Sequence, residues 1–369
     1  MIPVFKPRIS IGDTLSVLNA LIRNNISGTS PIVSEFEKRY SSNFQKKYGV
    51  AVSNGSVALD VALNILNLQN DDEVIIPSFT IISCLSSVIR SGAKPVFCDV
   101  NSDTWNMTLE DVKKSITNKT KAVLVVHTYG LASEVDKISA FCKENNLYLI
   151  EDAAEAHGQI VNNKLCGSYG DVSTFSFYAN KHITTGEGGM VLTDIKDFYE
   201  NAKRIRNLDF DNKKRFSHEN FYWNYRLSGL QASLGISQLR KLEKTIKFKI
   251  KQGNYYTRLL SSFDNLLQLP LSKHGGVVNH YWVYGVLLKK QGIRDYVMNE
   301  LKRQGIETRP FFYPLHLQPA LPVEYKSNRE FKISENLGEN GLYLPMGRHV
   351  SKKKQKYISK TLIETVNLA

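Results

Sequence analysis

The sequence predicts an α/β protein built around a large parallel sheet, and three observations carry that expectation. Between Ser53 and about Thr193, short apolar runs alternate with helical periods, the pattern of strands covered on both faces by crossover helices. At 369 residues the chain can bury a large core, with about two domains as the natural division. After about Asp194 the alternation gives way to a basic, aromatic segment and then to a different mixture of elements.

Taken in order, residues 1–30 hold too few apolar side chains for a core of their own, so they are expected to form an arm packed on the rest of the chain or on a partner. Residues 31–240 form the expected large domain. Its candidate strands are Glu73 to Ile76, Val96 to Val100, Ala122 to Val126, Tyr148 to Glu151, Thr174 to Phe177 and Met190 to Leu192. Ser53-Asn54-Gly55-Ser56 precedes the helical spacing Val57, Val61, Ile65, so a polar glycine turn opens onto an amphipathic helix. Such a start suits a phosphate, although turns that merely cap helices are commoner. A long helical stretch is expected near Leu230 to Leu260, and residues 241–369 form the smaller C-terminal domain.

Composition narrows the function classes. The apolar share of 42% and charged share of 22% are those of a globular protein, and no apolar run approaches the roughly 18 residues of a membrane span. The first ten residues, with Pro3 and Pro7 and no apolar block, lack the layout of a secretory signal, so a cytoplasmic location is expected. Cys84, Cys98, Cys142 and Cys166 are scattered in a way that suits neither a disulfide framework nor a zinc site, and no metal is expected. The net charge of +13 is spread over distant clusters (Lys213, Lys214 and Arg215; Lys247, Lys249 and Lys251; Lys352, Lys353 and Lys354) without a nucleic-acid-binding signature. Neither nucleic acid nor membrane is an expected partner.

The chemistry concentrates in two stretches. Ser176 to Gly189 reads SFYANKHITTGEGG, an apolar strand running into a polar turn with one lysine and a glycine-rich return. Strand ends of α/β sheets are where ligands bind, and a lysine displayed there in partial burial becomes a nucleophile toward an aldehyde. A solvated surface lysine is the competing reading. Leu147 to Ala154 reads LYLIEDAA, a buried strand that delivers Glu151 and Asp152 at its end. A carboxylate against a pyridine nitrogen keeps pyridoxal phosphate (PLP) protonated and electron-accepting, a role that suits Asp152. By itself Asp152 fits a helix cap or a metal ligand equally well.

Together these stretches resemble the DegT/DnrJ/EryC1/StrS family of sugar aminotransferases over essentially the whole chain. The resemblance rests on SNGSVALDVAL from Ser53, DEVIIPSFT from Asp72, DTWNMT from Asp103, TNKTKAVLVVHTYG from Thr117, IEDAAEAHG from Ile150, GDVSTFSFYANKHITTGEGGMV from Gly170, NYRLSGLQASLG from Asn224 and ETRPFFYPLH from Glu307. It implies the PLP-dependent transferase fold of aspartate aminotransferase (type I): a large domain with a mixed, mostly parallel sheet, plus a smaller C-terminal α+β domain. It also implies a homodimer with shared active sites. The implied reaction uses PLP, with pyridoxamine phosphate as intermediate, to carry an amino group from glutamate to a nucleotide-linked 4-keto-6-deoxy sugar, foremost GDP-4-keto-6-deoxymannose. The product would serve surface polysaccharide such as the O-antigen of lipopolysaccharide.

Carried over residue by residue, the resemblance makes Lys181 the lysine that binds the cofactor and shuttles the proton, and Asp152 the partner of the pyridine nitrogen. Gly55, Ser56 and Ser176 would hold the phosphate, joined by Asn224 from the neighbouring subunit. Glu155 stands beside the ring. Arg309, Tyr313 and His316, in ETRPFFYPLH, are candidates for the sugar nucleotide, with loop-stabilising roles as the competing reading. Many relatives stack an aromatic side chain on the ring where this chain has Ile81. The relatives' N-terminal Trp-Ile-Ser appears as Asn25-Ile26-Ser27, and the glycine expected after it is Ser30. Two other readings fit the scaffold. Dehydratases that act at C3 of GDP-4-keto-6-deoxymannose carry His at the place of Lys181, and a regulatory module would bind without turnover.

Overall fold

The computed structural model describes residues 1–210, 216–327 and 329–369. The basic cluster Lys213, Lys214 and Arg215 lies outside the described residues. Seven strands make the central sheet: β1 (Tyr48–Val52), β2 (Glu73–Pro77), β3 (Lys94–Cys98), β4 (Thr120–Val126), β5 (Tyr148–Asp152), β6 (Val172–Ser176) and β7 (Gly189–Thr193). Their spatial order is β1-β7-β6-β5-β4-β2-β3. Five of them, from β3 across to β6, run parallel, whereas β7 is antiparallel to both neighbours and makes the sheet mixed. The glycine-rich return after Lys181 brings the chain straight back beside β6, which an antiparallel strand requires and a crossover helix would not.

Two departures from the sequence expectations have local causes. The run YGVAV forms β1 although it carries no polar alternation; four of its five residues are buried, so both faces are covered and the period-2 signal is lost. The third strand begins at Lys94, ahead of the expected Val96, and includes Pro95. As an edge strand, β3 tolerates a residue without an N–H. It stops at Cys98 because the Asp99 carboxylate turns to accept the amides of Val100, Ile333 and Ser334.

Helices α1 (Ile11–Ile22), α2 (Pro31–Asn43), α3 (Gly55–Asn64), α4 (Ile82–Arg90), α5 (Leu109–Lys113), α6 (Val135–Glu144), α7 (Lys196–Arg206) and α8 (Gly229–Leu239) surround this sheet. The expected continuous helix from Leu230 breaks at Arg240 and Lys241, and α9 (Leu242–Leu260) leads away from it. Four antiparallel strands follow, β8 (Leu267–Gln268), β9 (Tyr284–Leu288), β10 (Arg309–Pro310) and β11 (Gly341–Leu344), in the order β8-β9-β11-β10. They are accompanied by α10 (Arg294–Arg303), α11 (Lys332–Asn340) and α12 (Lys352–Leu368). Each sheet has its own apolar core: Val123, Val125, Phe175 and Met190 lie inside the first, Tyr256, Val286, Leu301 and Leu362 inside the second.

The N-terminal arm is tied to segments beside the second sheet and to α8. The Ile2 amide donates to the Gly305 carbonyl and the Met346 amide to the Val4 carbonyl, at 2.6 and 3.0 Å. Farther on, Asp13 accepts from Lys241 at 2.7 Å and from Ser237 at 2.6 Å, which fastens α1 to α8. All four cysteines are free and buried. Among the described residues, no helix is long and apolar enough to cross a membrane.

Candidate active site

Successive residues of a strand face opposite sides of its sheet, so the end of β5 sends its two carboxylates to different places. Glu151 turns toward the loop after residue 166. There it accepts the amides of Gly167, Tyr169 and Gly170 and pairs with His127 Nε2 at 3.0 Å. Burial raises its pKa, but His127 and these amides outweigh that and leave it below the usual range. Glu151 is thereby consumed in holding the loop.

Asp152 points the other way and keeps a simpler set of partners: the Ala154 amide at 3.0 Å and the Cys84 thiol at 3.6 Å. Burial pushes its carboxyl above the usual aspartate range, against the pull of the Ala154 amide and the Lys181 ammonium. Three residues on, Glu155 accepts the Tyr129 amide at 2.9 Å and pairs with Lys181 Nζ at 3.2 Å. Burial pushes Glu155 up to about 7, again opposed by Lys181.

Lys181 follows the end of β6 in a turn closed by its own amide to the Tyr178 carbonyl. Its side chain is 9% exposed, which disposes of the solvated reading. Nζ stands 3.7 Å from the ring centroid of Trp282, a cation-π contact. Trp282 is held in turn: its carbonyl accepts from Lys249 Nζ at 2.8 Å. Lys249 is buried, and burial pushes its pKa down to about 7.

Beside this cluster, α3 starts against the end of β6. Asn54 caps the helix by accepting the Val57 amide at 2.9 Å, and the amides of Gly55 and Ser56 precede any intrahelical acceptor. A Cβ at Gly55 would lie 2.7 Å from Ser176 Cβ and 3.0 Å from its Oγ, so only glycine lets the helix start approach the strand this closely. Ser56 Oγ meets Ser83 Oγ at 2.7 Å on the exposed side. Ile81 occupies the N-cap of α4 and is 40% exposed. A helix start cleared of side-chain bulk, a buried acid and a buried amine are the three features a phosphorylated pyridine aldehyde needs, so the donor set fits PLP.

Among the described residues, the remaining expected ones form no hydrogen bond or ion pair with Lys181, Asp152, Glu155, Gly55, Ser56 or Ser176. Asn224 is exposed, its Oδ1 accepting the Arg226 amide at 3.2 Å, on a segment whose Tyr225 carbonyl accepts the Ser53 amide just before Gly55. Arg309 is exposed on β10, with Glu307 at 3.8 Å and its guanidinium 5.5 Å from the Phe5 ring centroid. Tyr313 is also exposed. His316 departs from the expectation. Its Nδ1 meets Ser78 Oγ at 2.5 Å, its Nε2 meets Glu335 at 3.2 Å, and its ring packs on Phe331. With both nitrogens engaged inside the protein, His316 has the partners of the competing, loop-stabilising reading.

Two neighbours of Lys181 were not among the expected residues. Tyr129 sits at the end of β4 in the quoted HTYG, where the strand-end rule could have found it. Trp282 comes from NHYWVYG, more than a hundred positions later, with no local pattern to mark it.

Residues 10–363 match the DegT/DnrJ/EryC1/StrS aminotransferase family. The chain is similar to the GDP-perosamine synthase of Vibrio cholerae, 37% identical over 352 residues that cover 94% of each chain. It is also similar to the GDP-perosamine synthase of Escherichia coli O157:H7, 34% identical over 363 residues and 98% of each. Among solved structures, the aminotransferase TlmJ from Streptoalloteichus hindustanus superposes with a TM-score of 0.93 at 27% identity, covering 100% of this chain and 99% of that one. With a match of this length and with an acid, an amine and a helix start gathered at the ends of the neighbouring strands β5 and β6, the chain belongs to the DegT/DnrJ/EryC1/StrS aminotransferase family.

Proposed function

We propose that this protein is a PLP-dependent aminotransferase that moves the amino group of glutamate to C4 of GDP-4-keto-6-deoxymannose, working as a cytoplasmic homodimer that supplies surface polysaccharide such as O-antigen. The observation that carries the reading is the buried amine of Lys181, 3.2 Å from Glu155 and beside the buried carboxyl of Asp152. The nucleotide and sugar are supported by the two GDP-perosamine synthases among its relatives.

When bound, PLP supplies the electron sink that allows an amino group to leave one carbon and join another. Asp152 would hold the pyridine nitrogen in its protonated form. Gly55, Ser56 and Ser176 would take the phosphate, with the partner subunit's Asn224 completing that site. Ile81 would cover a ring face by aliphatic contact, with less stacking energy than an aromatic side chain gives. Lys181 Nζ would carry the proton to and from the reacting carbon, with Glu155 and the Trp282 face holding the amine whenever it is charged. Arg309 and Tyr313, both exposed, are available to the sugar nucleotide. The proposed division of the chain is an arm (1–30), a cofactor-binding domain (31–240) and a smaller domain (241–369). Elimination at C3 is disfavoured because Lys181 keeps the amine that such dehydratases replace with histidine.

Lys181→Ala tests the reading. It deletes the nucleophile without emptying a core position, so the protein should fold but lose the visible absorption of the lysine-bound cofactor. Turnover of 4-keto nucleotide sugars, followed by mass spectrometry with glutamate as donor, should fall by several orders of magnitude. Retained multiple turnover would overturn the assignment.

A further inference from the structure

A cleft of about 870 Å³, open mouth included, adjoins Lys181 and is bordered by the N-terminal arm, α9 and the segment after β11. Its border is strongly cationic, with Lys6, Arg8, Lys241, Lys249 and Arg348 against a single acid, Asp13. That acid is already committed: it accepts from Lys241, Ser237 and Gln238 at 2.6 to 3.0 Å. Lys249 is equally committed, to the Trp282 carbonyl.

Lys6, Arg8 and Arg348 differ from these. All three are exposed, and among the described residues none has a carboxylate within ion-pair distance. The Arg348 guanidinium lies 4.5 Å from the ring centroid of Phe248, which presents it as a flat plate at the rim. Burial and the nearby positive charge of Arg8 both depress the pKa of Arg348. Like charges gathered without a counter-ion repel each other, and an anion placed between them removes that cost. We propose that Lys6, Arg8 and Arg348 form a diphosphate subsite, which holds the two phosphates of the nucleotide-linked sugar at the rim while the sugar carbon reaches Lys181 on the floor.

The inference rests on the function proposed above and adds the residues that would select its substrate class. The arrangement suits a nucleotide sugar because the reacting amine is buried while the cations are exposed, and the diphosphate leaves the sugar at the ring position remote from C4. The arginines' planar forks match phosphate oxygens in pairs, which a lysine cannot do. The carboxylates of glutamate share this anionic chemistry, so the test has to separate the two sources.

The test is calorimetric titration of the PLP-loaded protein and its Arg8→Gln/Arg348→Gln variant, with GDP, with inorganic pyrophosphate and, separately, with glutamate. The expected result is a Kd for GDP and pyrophosphate raised about ten-fold or more, with a flatter dependence on salt. Lys6→Gln should move both in the same direction by less. Unchanged GDP affinity in the double variant would overturn the subsite. A loss confined to glutamate would assign these cations to the amino donor and overturn it equally. Because GDP binding is read without turnover, a wild-type protein that binds GDP yet aminates no 4-keto sugar would sink the proposed function alone.

Discussion

Glu155 and His157, two positions apart and both fully enclosed, respond to pH in opposite directions. Burial raises Glu155 to about 7, so the folded chain binds that proton more tightly than the unfolded chain does, and stability falls as pH rises from about 4.5 to 7. Burial lowers His157 to about 3 among the rings of Tyr40, Phe175 and Phe177. The neutral imidazole is the native form, so its contribution is complete above about pH 6.5 and is lost as pH falls toward 3. His280, lowered to about 4 by burial, acts in the same sense. Below about pH 4.5 Glu155 is protonated in both states, and the acid limb is set by the histidines together with carboxyls held below their usual range, Asp13 and Glu151 among them. His157→Phe should therefore flatten that limb by up to about 1.4 kcal/mol per pH unit in denaturant melts between pH 3 and 4.5. An unchanged slope would show that His157 is not neutral in the folded protein. At this scale the sequence revealed the groups whose neighbours in the chain announce them. Lys181 sits before a glycine-rich return and Asp152 ends a buried strand. Which of the adjacent carboxylates lies beside Lys181 was indicated by the resemblance and finds its physical reason in the partners that engage Glu151, whereas the platform under Lys181 came from a distant segment before β9.

The elements were legible where amphipathic or buried patterns were long enough to register. Six of the seven central strands overlap their expected runs; β1 escaped because burial on both faces erased its alternation. The reversal of β7 had no signal in the strand itself, since a buried antiparallel strand reads like a parallel one, and only the resemblance implied a mixed sheet. The junction of α9 with the segment before β9 was also hidden. Gly253 on α9 faces the Tyr281 ring so closely that a Cβ there would overlap it, and Tyr281 already holds a positive φ of 51°. Gly253→Ala should cost about 1–3 kcal/mol in urea unfolding, the range for overpacking a filled core. As the same segment carries Trp282, the variant should also bind PLP more weakly. Wild-type stability would mean that α9 can move away from Tyr281 freely.

At the scale of the whole molecule, the surface carries apolar groups that a lone chain leaves in water. Phe221 and Trp223 are 104% and 67% exposed, on either side of Tyr222 and next to Asn224. On α1, Ile11, Leu15, Leu18 and Ile22 form an exposed stripe at helical spacing. Exposed side chains of this size commonly mark a partner surface, here the proposed second subunit. Phe221→Ser with Trp223→Ser should shift the protein toward monomer in analytical ultracentrifugation. If the partner's Asn224 reaches the phosphate, the same change should weaken PLP binding in proportion. Monomers that bind PLP as tightly as dimers would remove that contact. The assembly was legible only through the resemblance, because residues that meet across a subunit boundary leave no spacing in one sequence.

Ile2 and Val4 are stitched to the segments that flank the C-terminal sheet, at Gly305 and Met346, while α1 is stitched to α8 through Asp13. Lys6 and Arg8 lie on the short span between these two seams. Any separation of α8 from the segments beside the C-terminal sheet must lengthen that span or undo a seam, so the borders of the cleft beside Lys181 are tied together by residues 2–13.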